Sequence, residues 1–234
     1  MSIKLLNISK SFNNEVLFKD FNFEIPDGKI TCLLGSSGSG KTTLLNIISG
    51  LTPFSGAVEG IDGNISFIFQ EPRLIESMSV FENLNYVLKQ VYKNINERFA
   101  VINKYLSLVE MLESKDKYPH QLSGGMAQRT AMARAFCFPS EVLLMDEAFK
   151  GLDVALKTRL IKVFLTLLKE NNKTVVMVTH DIYEALLLSD SIHLIDGKPA
   201  TVIYKENVLE DKTTRTLTSA NITSIRDRLL SKIL

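Results

Sequence analysis

Three short stretches of the chain are apolar with little interruption: Ile30–Leu34, Val142–Met145 and Thr174–Val178. Runs of this kind read as strands buried on both faces, because a half-exposed strand would alternate. Each stops at a residue with chemistry to offer, namely Gly35, Asp146 and the pair Thr179-His180. Each is followed by a helical pattern. After Asp153, the residues Leu156, Leu160, Val163, Phe164, Leu167 and Leu168 recur on one helix face, with Asp153 placed to cap it. Strands alternating with helices predict a mostly parallel α/β sheet, with ligands at the carboxyl ends of its strands.

Elsewhere the rhythm differs. Ile3–Ser9 alternates, and so does Phe21–Ile25 before the turn Pro26-Asp27-Gly28, so the first thirty residues are expected to form antiparallel strands. From Pro72 to Pro139 the spacing is helical without strands. Phe99, Ile102, Leu106, Val109 and Leu112 mark one amphipathic helix, and a second begins at Ser123. The tail carries Ile222, Ile225, Leu229, Leu230, Ile233 and Leu234 at helical spacing, which predicts a closing helix. The expected organisation is one domain over residues 1–234. Its α/β core takes 1–72 and 140–234, includes an antiparallel β subdomain at the N-terminus, and receives a helical subdomain at 73–139.

Composition removes several function classes. With 45% hydrophobic residues and a net charge of +1, the chain suits a packed globular protein rather than a disordered one. No run of Lys and Arg offers a nucleic acid a basic face, so no nucleic-acid partner is expected. No apolar run exceeds four residues, and residues 1–12 lack the apolar core of a signal peptide. The chain is therefore expected to remain in the cytoplasm. Its two cysteines, Cys32 and Cys137, stand in apolar surroundings and read as buried small hydrophobes; the three histidines do not have zinc-site spacing.

The chemistry is concentrated in three segments. Gly35-Ser36-Ser37-Gly38-Ser39-Gly40-Lys41-Thr42, followed by Thr43, matches GxxxxGK[ST] and lies between a buried strand and an apolar helix. Such a loop turns backbone N–H groups inward around phosphate oxygens, and the helix N-terminus adds positive dipole. Lys41 would reach the β- and γ-phosphates, and the Thr42 hydroxyl would hold Mg²⁺. Asp146 and Glu147 put two carboxylates at the mouth of a strand. The first suits Mg²⁺, and the second suits a general base polarising the water that attacks the γ-phosphate. Finally, Ser123 followed by Gly124 and Gly125 makes a second exposed helix N-terminus, hence a second anion site.

Taken in order, these segments resemble the ATP-binding subunits of ABC transporters over nearly the whole chain. Gln70-Glu71-Pro72 is similar to the family's Q-loop, which implies that Gln70 links Mg²⁺ and the attacking water to the helical subdomain. Leu122-Ser123-Gly124-Gly125-Met126 resembles the signature motif, with Met126 where Gln is usual. Asp146-Glu147 matches the Walker B pair, Lys150-Gly151-Leu152-Asp153 looks like the D-loop, and Thr179-His180-Asp181 matches the switch, whose His180 would contact the γ-phosphate. Phe12 falls where the family places an aromatic ring under the adenine. The wording is most similar to importers of the nitrate, sulfonate and taurine type, although Ala148 and Lys150 stand where that branch usually has Pro and Gly.

The resemblance implies an ATPase that binds ATP and Mg²⁺ and pairs head to tail with a second copy of itself. One copy would offer Phe12, the phosphate loop, Gln70, Asp146, Glu147 and His180, while the other covers the γ-phosphate with its signature segment. It further implies separate transmembrane permease subunits, an extracytoplasmic solute-binding protein, and a peripheral place on the cytoplasmic membrane face, held by the permease. The permease contact is expected between Gln70 and Tyr92, with Leu74, Ile75 and Met78 at its apolar centre. An export ATPase, or an ABC-type ATPase acting in DNA repair or on ribosomes, shares the same machinery, and a soluble P-loop kinase or GTPase would leave Ser123–Gly125 unexplained. The transported solute is not legible.

Overall fold

A computed structural model describes residues 2–212 and 214–233. It comprises two compact units: Met1–Gly63, Leu144–Glu147 and Lys173–Leu234 form the first, and Asn64–Leu143 with Ala148–Asn172 form the second. The helical subdomain expected at 73–139 lies within the second unit, which extends further at both ends and adds residues 148–172.

The first unit opens with β1 (Ile3–Phe12), β2 (Glu15–Ile25) and, later, β4 (Ser55–Glu59), which form an antiparallel sheet in the order β2-β1-β4. Phe21, Phe23 and Ile25 face inward while Asn22 and Glu24 face water, as the alternation requires. Pairing of Leu5 with Phe23 and of Ile3 with Ile25 sets the register. The larger sheet holds β3 (Ile30–Leu34), β6 (Val142–Asp146), β7 (Thr174–Thr179), β8 (Ser191–Asp196) and β9 (Thr201–Asn207), in the order β6-β7-β3-β8-β9. Neighbours of β3 run parallel to it, and β9 is antiparallel to β8. All residues of β3 and β7 are buried, as their continuous apolar runs require. The sequence pattern did not disclose β4, β8 or β9. Ser191 and His193 interrupt the apolar run of β8, although both are buried there. Helices α1 (Lys41–Ile48), α6 (Ile182–Leu188) and α7 (Ala220–Ile233) complete the unit. On α7, Ile222, Ile225 and Leu229 are buried, while Leu230 and Ile233 are partly exposed; Leu234 lies outside the described residues.

The second unit contains β5 (Ile65–Ile68), α2 (Val80–Leu88), α3 (Ile95–Leu108), α4 (Gly124–Cys137) and α5 (Val154–Glu170). Asp153 caps α5 by accepting from the Leu156 N–H at 2.9 Å. Phe164 of α5 packs edge-on against Phe136 of α4, with ring centroids 5.7 Å apart, so the unit gathers α5 as well as the helices before it. The amphipathic helix marked by Phe99, Ile102 and Leu106 is α3, but it is shorter than the spacing predicts. It ends at Leu108, with Val109 as its C-cap, and Glu110 then turns into the left-handed region at φ 56°. Leu112 belongs to a separate short 3₁₀ turn, Leu112–Ser114. No helix among the described residues is long and apolar enough to cross a membrane.

Candidate nucleotide site

The parallel ladder positions the first set of groups. Leu34 pairs with Thr179, so the chain leaves β3 at Gly35 beside the point where β7 ends before His180. The Glu147 N–H donates to the Val178 carbonyl at 2.9 Å, which extends the ladder by one residue and sets Glu147 at the same sheet edge. Glu147 adopts a left-handed backbone, φ 46°, unusual for a residue other than glycine. Its Oε1 lies 3.4 Å from His180 Nδ1. His180 is itself anchored by its neighbours. The Thr179 hydroxyl donates to buried Glu184 at 2.6 Å and accepts from the Asp181 N–H at 3.0 Å, while Asp181 caps α6.

The loop between β3 and α1 has the conformation its glycines permit. Gly40, the N-cap of α1, sits at φ 89°. A Cβ there would lie 2.9 Å from the Phe18 ring, so both backbone and space demand glycine. The first turn of α1 carries no acidic residue, which leaves its N-terminal dipole uncompensated. Lys41 is buried, and its Nζ donates to the Gly35 carbonyl (3.0 Å), the Ser36 carbonyl (2.6 Å) and Ser39 Oγ (3.1 Å). Its three donors thus have three acceptors within the loop, and an arriving anion must exchange with at least one of them. Burial lowers the Lys41 pKa, opposed by the nearby charges of Glu147 and Asp146. Thr42 Oγ1 donates to Asp146 Oδ1 at 3.1 Å. A hydroxyl and a carboxylate oxygen facing each other are the donor types that suit Mg²⁺.

The first unit therefore brings Lys41, Thr42, Asp146, Glu147 and His180 together. The loop also lines an open cavity of about 260 Å³, formed by Ser36–Ser39 with Asp196, Gly197 and Lys198 of the β8–β9 turn. Neither carboxylate of the Asp146-Glu147 pair lines it, nor does His180. Phe12 stands half-exposed at the end of β1 with Lys10 Nζ 4.6 Å over its ring. That ammonium also donates to the Pro53 carbonyl at 2.8 Å, so one face of the ring is covered by a fixed cation. Lys198 pairs with Glu15 just beyond Phe12.

The remaining predicted residues belong to the second unit. Gln70 is exposed after Phe67 and Phe69, whose rings stack 4.0 Å apart. Ser123 caps α4, its Oγ accepting from the Met126 N–H at 3.3 Å, which leaves the hydroxyl proton free to donate. Gly124 is exposed and a Cβ there would meet nothing. At Gly125 a Cβ would lie 2.6 Å from a Leu156 methyl, so this glycine allows α5 to approach α4. Ala148 is buried and its carbonyl accepts from Gln128 Nε2 at 2.7 Å, while Lys150 is exposed. Sequence reading gave no role to Lys10, Gln128 or Glu184: Lys10 and Gln128 bond to carbonyls 43 and 20 residues away, which no pattern marks, and Glu184 reaches back five residues to Thr179 across the turn between β7 and α6.

Comparisons with known proteins bear on the family and the fold. The family described as ABC transporter matches residues 18–150, more than half of the chain. The chain is 40% identical over 223 residues to the sulfate/thiosulfate import ATP-binding protein of Mesostigma viride, covering 91% of itself and 64% of that relative. It thus spans less than two thirds of that protein's length. With the nitrate import ATP-binding protein of Synechocystis it shares 34% identity, covering 86% of itself and 80% of the relative. With an aliphatic sulfonates import ATP-binding protein of Pseudomonas savastanoi it shares 36%, covering 86% and 85%. Among solved structures it is similar to a dimeric bacterial ABC transporter cassette, with 30% identity and a TM-score of 0.76, covering 89% of itself and all of that chain. The same cassette is also known as a dimer in a post-hydrolysis state with ADP and phosphate.

Proposed function

The chain belongs to the ABC transporter family, and we propose that it is the ATP-hydrolysing subunit of an importer, acting as an ATP-closed dimer on a separate permease. The observation that carries this reading is the convergence of Lys41, the Thr42–Asp146 pair and the Glu147–His180 pair at one sheet edge. Lys41 and the N-terminus of α1 would receive the phosphates, with Gly35–Thr43 as the cradle. Thr42 and Asp146 would hold Mg²⁺, with Gln70 assigned as a further ligand by family resemblance alone. When bound, the ion would neutralise phosphate charge. Glu147 would take a proton from the attacking water, and His180, held by Thr179 and Asp181, would face the γ-phosphate beside it. Phe12 would stack on the adenine with its uncovered face.

The second anion site, Ser123 to Met126 with the dipole of α4, would serve the nucleotide of a second copy, and Asp153 would lie at that dimer surface. Two anion-binding helix ends on one chain are otherwise without a use. Relatives named for sulfate, nitrate and sulfonate import support an anionic solute. An importer of this kind also calls for an extracytoplasmic solute-binding protein, and places the chain on the cytoplasmic face of the membrane, held by its permease. The permease would meet the loop after Gln70, where Leu74, Ile75 and Met78 are half-exposed.

Glu147→Gln separates binding from chemistry. It should retain ATP binding and lower hydrolysis by about 10²–10⁴-fold, the usual worth of a positioned general base. Near-normal turnover would contradict the role given to Glu147.

A further inference from the structure

Between Gln70 and α2 the chain runs through an irregular segment, residues 71–79, with no regular backbone ladder to hold it. Side chains do so instead, chiefly two. Asn83, fully buried in α2, accepts from the Ile75 N–H at 2.8 Å, and its amide donates to the carbonyls of Ile75 (3.2 Å), Met78 (3.0 Å) and Ser79 (3.0 Å). This grips the far half. At the near half, the Arg134 guanidinium donates from Nη2 to the Pro72 carbonyl and from Nη1 to the Arg73 carbonyl, both at 2.9 Å. The planar fork is matched to two successive carbonyls in a way a lysine could not reproduce. Arg73 is itself in the left-handed region, φ 46°, with its guanidinium 3.9 Å over the Phe69 ring. The chain thus passes through a left-handed residue three positions after Gln70, and Arg134 holds that corner.

Arg134 stands in the last turn of α4, the helix whose N-cap is Ser123. At 1.5 Å per residue these two positions are about 16 Å apart along one helix. We propose that Arg134 is a positioning residue that fastens the exit of the Gln70 loop to α4, so that the Ser123 end of the helix and residues 72–79 move as one piece. The proposal deepens the function given above and rests on its placing of the nucleotide at Ser123 and of the permease at 72–79. A pull on Ser123 by the partner's nucleotide then arrives at the permease contact without passing through Gln70. In its half-buried place the guanidinium is costly to desolvate, so the two carbonyl bonds are not incidental surface contacts.

Amide hydrogen exchange on the full chain tests this. In the nucleotide-free protein, Arg134→Met should raise exchange at the Ile75 and Met78 amides by about tenfold, and Arg134→Lys by less, since an ammonium can bond one carbonyl at a time. In a Glu147→Gln background, Mg²⁺-ATP should change exchange at both 123–130 and 72–79. Adding Arg134→Met should preserve the first change and remove the second, while basal ATPase of the Arg134→Met chain with Glu147 intact stays within about twofold of wild type. Unchanged exchange at Ile75 and Met78 in both variants, or an ATP response at 72–79 that survives Arg134→Met, would overturn the proposal. No ATP response at 123–130 even with Arg134 present would instead overturn the dimer reading, and the nucleotide-free exchange would still decide the clamp.

Discussion

The two units of this chain hold functional groups by different means. In the first, Glu147, His180 and the loop after β3 stand at the ends of buried strands, and backbone bonds of the sheet fix their spacing. In the second, Gln70, Ser123 and the loop before α2 stand on helix ends and irregular chain. Single side chains fix the loop there, Ser79 with Glu82 as a capping box, Asn83 and Arg134, and Gln128 likewise holds the Ala148 carbonyl. A ladder distributes the task over many bonds, so the geometry survives most substitutions on its faces. A cap or clamp concentrates it in one residue, so the second unit is the more easily reshaped. A part that must move with nucleotide is better built that way.

Acid should strain the first unit through its sheet. His193 lies buried in β8, edge-on to Phe23 with centroids 4.8 Å apart, and its pKa is lowered from 6.5 to about 4 by burial and by the charge of Lys205. The unfolded chain binds that proton at higher pH than the folded one does. Stability from this residue is therefore intact above about pH 6.5 and should fall by up to about 3 kcal/mol as pH drops to 4. Urea midpoints across that range should show the slope, and His193→Leu should flatten it. An equal slope in both proteins would mean that the acid sensitivity arises elsewhere.

In the second unit one contact should decide as much. Gly125→Ala drives a methyl into Leu156 and should cost about 1–3 kcal/mol, whereas Gly124→Ala, with open space around it, should change stability by less than about 0.5 kcal/mol. Equal thermal shifts for the two would show that α4 and α5 are not packed as described. Phe12→Ala should weaken ATP and GTP alike by about 1–3 kcal/mol in equilibrium titration, since stacking does not read base edges. Unchanged ATP affinity would reduce Phe12 to a hairpin packing residue. The smallest effect is expected at Met126→Gln. Met126 contributes its backbone N–H to the Ser123 cap, and any residue supplies that, so ATPase rates should stay within about twofold.

The same difference explains how far the sequence could be read. The buried strands β3, β6 and β7 and the groups at their ends were visible because a two-faced strand must be apolar throughout and a phosphate loop must carry its glycines. The capping serine at 123 was visible too, since a cap lies within three residues of what it caps. Arg134 and Gln128 were not. Their partners are 62 and 20 residues away and are carbonyl oxygens, which every residue has and no pattern marks. The left-handed turn at Glu110 that shortens α3 left no glycine to announce it. Leu74, Ile75 and Met78 read only as the apolar centre of a partner contact, yet Asn83 bonds to the backbone of two of them.

If the two units carry complementary halves of one ATP site, each half must be needed in a different copy of the chain. Sedimentation velocity of the Glu147→Gln protein with Mg²⁺-ATP measures this directly. The protein should sediment as a dimer holding one nucleotide per chain and return to monomer when ATP is removed. Adding Ser123→Arg should keep it monomeric, while ATP affinity of the single chain changes by less than about threefold, since that residue would meet only the partner's nucleotide. A monomer in both proteins, or a dimer that forms equally well with Arg at position 123, would contradict the composite site.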